Sequence, residues 1–117
     1  MNLNIDELQE IAGFIGACLV DSDTGLMLGA VGGGGFDLEA AGAANTGVVK
    51  AKLAAIKTLQ LDDTIEDILI TLGKQYHLIR PLASNPAVFL YLAIDKSNSN
   101  LGMARIQLKK VEGDVEL

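Results

Sequence analysis

From Leu38 to Gln60 the chain runs without a proline, and Asp37 stands in front of it as a cap, so the stretch reads as one long helix. A helix of that length is held mainly by packing one face against something else. At ~100° per residue, Leu38, Ala41, Val48, Val49, Leu53, Ile56 and Leu59 gather into a broad apolar arc, interrupted by Asn45 and Lys52. Glu39, Thr46, Lys50 and Lys57 make a narrow polar strip. Between arc and strip lie Ala40, Ala43, Ala44, Gly47, Ala51, Ala54 and Ala55, nearly free of side-chain bulk. A solvated helix face usually carries Glu, Lys or Gln, although alanine is itself a good helix former. So wide a small-residue face lets another backbone approach closely. The expected partner-binding surface is therefore Ala40, Ala43, Ala44, Gly47, Ala51 and Ala54, with Lys50 and Lys57 at its margin.

Around this helix the pattern alternates. Asn4 or Asp6 can cap a short helix reaching about Ile11, with Leu3, Ile5, Leu8 and Ile11 as its apolar spacing. Two apolar runs, Phe14 to Val20 and Leu26 to Val31, flank the turn Asp21-Ser22-Asp23-Thr24-Gly25 and predict an antiparallel hairpin. Beyond the helix, Ile65 to Leu72, Gln75 to Leu82 and Val88 to Ile94 read as three more strands. Gly73-Lys74 and Ser84-Asn85-Pro86 mark the turns between them. Val88 to Ile94 is apolar on both faces, which predicts a central strand. Ser97, Asn98 or Ser99 can cap a last helix from about Asn100 to Val111. Leu101, Ala104, Leu108 and Val111 form its buried stripe, and Lys109 and Lys110 sit in its last turn. Glu112 to Leu117 is expected to fray.

The order is α-β-β-α-β-β-β-α. It predicts an α+β fold, a five-stranded antiparallel sheet between one long helix and two shorter ones. No linker or repeat divides residues 1–117, so a single domain is expected.

Half of the 117 residues are apolar and 21% are charged, enough core material to exclude disorder. With Lys+Arg 9 against Asp+Glu 15 the net charge is −6, and nothing supplies the basic face that nucleic acid requires. One cysteine, Cys18, excludes an intramolecular disulfide and any multi-cysteine metal site. The amino terminus lacks a basic segment and the apolar runs are shorter than the ~20 residues of a membrane span, so the expected location is the cytoplasm.

Chemistry is sparse. Gly32-Gly33-Gly34-Gly35 is followed by no Gly-Lys-Ser/Thr and completes no G-x-G-x-x-G spacing, so it reads as a connector and not a phosphate cradle. Cys18 and His77 would make a nucleophile and base only if their strands were neighbours. The Asp21–Gly25 turn resembles the opening of a calcium loop but lacks the glutamate that closes one. Arg80 and Arg105, the only arginines, fall within regular elements rather than on mobile loops. Their expected roles are structural, Arg80 along the sheet surface and Arg105 pairing on the last helix. No catalytic residue, metal or cofactor is expected.

Ile15 to Asp21 with the Asp23-Thr24-Gly25 turn and the alanine-rich helix after Asp37 carry a resemblance. So do Glu66 to Thr71, Gln75 to Leu82, Phe89 to Asp95 and Asn100-Leu101-Gly102-Met103-Ala104-Arg105. Their order and spacing resemble the roadblock/dynein light-chain family, related in fold to longin and profilin-like domains. That resemblance implies a homodimer whose third strands pair into one extended sheet, here through Ile65, Asp67, Leu69 and Thr71, with the long helices side by side. It also implies a non-enzymatic regulator or scaffold for a small Ras-like GTPase, including GTPase activation by remodelling the partner. The alternative is a sensory or small-ligand-binding module on a profilin-like scaffold.

Overall fold

The computed structural model describes residues 1–117. Strands β1 (Phe14–Asp21), β2 (Leu26–Gly32), β3 (Ile68–Thr71), β4 (Gln75–Pro81) and β5 (Val88–Asp95) form one antiparallel sheet in the order β2-β1-β5-β4-β3. Helix α1 (Leu38–Thr58) covers one face. Helix α2 (Leu101–Asp114) and a 3-10 turn at Asp6–Glu10 cover the other, as the sequence predicts. β5 is the central strand and is buried along nearly its whole length, which is why its run is apolar on both faces.

The two faces have separate cores. Beneath α2, Leu19, Leu78, Leu90, Leu92 and Ile94 meet Ile5, Leu8, Ala104, Leu108 and Val111. Beneath α1, Cys18, Val20, Ile79, Phe89, Tyr91 and Ala93 meet Leu38 and Val49. Each fully buried Leu or Ile contributes about 2 kcal/mol.

Several boundaries differ from expectation, each for a local reason. Ile5, Leu8 and Ile11 are three apart, the period of a 3-10 helix, and the first segment takes that form with no side-chain cap. Asn4 instead accepts a bond from Asp6 N at 2.9 Å. Helix α1 stops at Thr58, short of Gln60: Gln60 N–H donates to Lys57 O and Leu61 N–H to Ile56 O, both at 3.1 Å. Gln60 stands at φ 55°, the left-handed position where glycine is usual, so no glycine advertised the stop. Its neighbour Leu59 belongs to the expected apolar arc but is exposed.

Strand β3 is shorter than Ile65–Leu72, and Pro81 explains it. Ile68 pairs with Ile79, so Glu66 would face Pro81. Leu82 N–H donates to Val88 O, toward β5, and main-chain direction alternates along a strand. Pro81 therefore faces β3, and it has no N–H to offer. The ladder ends there, and Ile65 and Asp67 fall outside the strand.

The cap of α2 is Asn100, which accepts from Met103 N at 3.1 Å, rather than Ser97, Asn98 or Ser99; Lys96–Asn98 form a second 3-10 turn. The helix continues to Asp114, which puts Lys109 and Lys110 before its last turn; Lys110 pairs with Glu7 at 2.8 Å. The tail is not frayed. Val115 is buried, and Asn2 and Glu116 exchange main-chain bonds of 2.7 and 2.8 Å.

Of the four consecutive glycines, Gly32 and Gly33 stand at φ 71° and 77°, against Phe14 and Leu38. Nothing lies near Gly34 or Gly35. The run is a turn into α1, whose Asp37 accepts from Ala40 N at 3.0 Å.

Candidate functional site

Leu38, Gly42, Asn45 and Val49 are the buried residues of helix α1, and Ala41, Val48 and Leu53 pack half-buried beside them. A Cβ on Gly42 would come within 2.9 Å of Val20 Cγ2, so glycine there sets how closely helix and sheet approach. Asn45 interrupts the apolar arc without an orphaned amide, since its Nδ2 donates to Ala41 O at 2.7 Å. Ala40, Ala44, Gly47 and Ala51 lie roughly 180° around the axis from these contacts. All six small residues of the expected surface, Ala40, Ala43, Ala44, Gly47, Ala51 and Ala54, lie outside those contacts, and Lys50 and Lys57 are exposed. They share one continuous helix face turned away from the sheet.

The expected strand interface is only partly assembled. Leu69 and Thr71 lie in β3. Leu72 N–H donates to Gln75 O, so alternation points the main chain of Leu69 and Thr71 away from β4, along the sheet's outer edge. Ile65 lies before the strand, and Asp67 accepts from Arg105 Nη2 at 3.0 Å. On the α1 side of this edge Val48, Leu53, Ile68 and Ile70 pack on the core yet stay half-buried.

The nucleophile pair does not form. His77 Nε2 contacts Gln75 Oε1 at 2.7 Å, and its Nδ1 contacts the Tyr91 hydroxyl at 3.1 Å. With Nε2 protonated, the imidazole donates to Gln75 and accepts from Tyr91. Burial holds its pKa below the ordinary value of 6.5. Phe36 and Tyr91 stack at 6.4 Å beside it. Cys18 is sealed under α1, and burial pushes its thiol up to about 12, away from the thiolate a nucleophile needs. Tyr91 is also pushed to about 12, by burial and then by the Cys18 charge.

Arg80 departs from the expected surface position. Its Nε donates to Glu112 Oε1 at 2.9 Å, tying β4 to α2, and both side chains are only 10% exposed. Glu112 lay in the segment expected to fray, so this pair was missed. The signal was Val115, which continues the stripe of Leu108 and Val111 and extends the helix past Glu112. No group of three His, Cys, Asp or Glu side chains converges as metal ligands, and no helix is long and apolar enough to cross a membrane.

No family model matches the sequence, and no curated protein matches it. Solved structures do match. MglB of Myxococcus xanthus superposes with a TM-score of 0.80 at 21% identity, over 93% of this chain and 85% of that one. A roadblock/LC7 domain from Streptomyces avermitilis gives a TM-score of 0.78 at 13% identity, covering 93% and 88%. The fold is the roadblock/LC7 fold. The gliding protein MglB of Thermus thermophilus shares it, with a TM-score of 0.75 at 17% identity over 92% of this chain and 79% of that one. In roadblock terms, the outward alanine face belongs to the long helix and the open edge to the third strand.

Proposed function

We propose that this chain is a homodimeric, non-enzymatic regulator or scaffold that binds a small Ras-like GTPase in the cytoplasm and modulates its nucleotide cycle. The observation that carries this reading is the outward face Ala40, Ala43, Ala44, Gly47, Ala51 and Ala54 on the long helix of a roadblock fold. Small side chains lose little conformational freedom when covered, so backbone approach and shape fit supply the affinity over a standard interface of ~1,600 Å². Lys50 and Lys57 at the margin steer an acidic partner surface.

Homodimerisation draws support from the outer edge of β3. Unpaired main-chain groups on a sheet edge favour a second strand, and a twofold axis through two copies of the same strand closes the edge. The half-buried Val48, Leu53, Ile68 and Ile70 gain cover in the same step.

Single-turnover GTP hydrolysis and nucleotide exchange by Ras-like GTPases from the same genome test the reading directly. A changed rate, or a stable complex at unchanged rate, is the expected result for regulator or scaffold respectively. Absence of complex and of rate change across all of them contradicts it.

A further inference from the structure

Where Pro81 ends the β3 ladder, residues 63–66 are unpaired with β4 and line a cavity of about 280 Å³ with it. Leu53 and Ile56 of α1, Ile65 and Leu82 give it an aliphatic wall. Its polar lining is not balanced. Arg80 and Glu112 neutralise each other, Glu112 also accepting from Ala83 N at 3.5 Å. Asp63 bonds only its neighbour's amide, Thr64 N at 2.8 Å, and neither Asp63 nor Glu66 belongs to an ion pair, so both carboxylates are open to a cationic ligand. Arg80 is bound through Nε alone, which leaves its two Nη groups as donors on the cavity wall.

We propose that this cavity binds a small aliphatic amine with a neutral carbonyl beside its ammonium, the chemistry of an amino-acid amide or of the first residue of a peptide. Asp63 and Glu66 take the ammonium, the apolar wall takes the aliphatic group, and Arg80 donates to the carbonyl oxygen. A carboxylate on the ligand is disfavoured, since Arg80 already holds Glu112 and two further acids line the same space. The inference does not rest on the GTPase reading, although Leu53 of the cavity wall also flanks the β3 edge proposed for homodimerisation.

Calorimetric titration of the whole protein with leucinamide, leucine and 4-methylpentanoate tests it. Leucinamide is expected to bind most tightly and 4-methylpentanoate not at all. Leucyl-glycinamide binding at least tenfold tighter than leucinamide assigns the site to a peptide terminus, and weaker binding assigns it to a free small molecule. Both carboxylates are exposed, so Asp63→Asn combined with Glu66→Gln leaves the ligand-free melting temperature unchanged and weakens leucinamide at least tenfold, about 1.4 kcal/mol. No leucinamide binding at millimolar concentration, equal binding of the anion, or affinity undiminished in the double variant overturns the proposal.

Discussion

Arg80 and Glu112 join the sheet to α2 from positions where each side chain is nine-tenths out of water. A guanidinium there is tolerated because the carboxylate meets it at 2.9 Å; alone, it would keep the desolvation penalty without the attraction. Glu112→Leu should therefore lower stability in urea by about 3 kcal/mol, and Arg80→Met added to it should recover most of that loss. Equal loss in the single and double variants would refute the buried pair. The single histidine gives a second test. Its folded pKa lies below 6.5, so the unfolded chain takes up the proton first as pH falls. The His77 contribution is present above that value and declines as pH drops from 6.5 toward the folded midpoint. An imidazole NMR titration should show a midpoint below 6.5; one above it contradicts the burial.

Thr71 lies in β3 with its N–H on the outer edge, so Thr71→Pro removes a donor from that edge and none from the β4 ladder. If two copies join there, light scattering should fall from twice 12.3 kDa to that mass, with the melting temperature largely retained. An unchanged dimer would move the interface elsewhere. Leu69→Asp is a poorer probe, because Leu69 packs against the core beneath α2. At this scale the sequence was legible wherever side-chain periodicity carries the information. Asp37 marked the start of α1, the doubly apolar Val88–Ile94 marked the centre of the sheet, and the Asp21–Gly25 turn marked the first hairpin. Endings written in main-chain chemistry were harder to read. Pro81 trims its partner strand from across the sheet, and Gln60 occupies a left-handed stop that its side chain does not announce. Val115 signals that the helix runs past Glu112, but the choice of Arg80 as its partner depends on the three-dimensional meeting of β4 and α2.

Across the whole molecule, the two sides of the sheet are finished differently. The α2 side is covered by the 3-10 turn, by α2 and by the Asn2–Glu116 bridge, with Leu3, Leu69, Tyr76 and Leu101 half-buried at its margin. On the α1 side, half-buried Val48, Leu53, Ile68 and Ile70 leave the core open at its margin, beneath a helix whose outward face is alanine and glycine. The small-residue outward face of α1 is the difference between the two sides on which the proposed association rests. Ala51 sits near the middle of that face and touches no core residue, so Ala51→Gln should cost the fold only a few tenths of a kcal/mol, the scale of helix propensity. The longer side chain would instead obstruct whatever docks there. The direct measurement is thermal melting of Ala51→Gln beside its affinity for the Ras-like GTPase that binds the unaltered protein. A retained melting temperature with binding lost is the predicted result; unchanged binding, or a large fall in melting temperature, would contradict it.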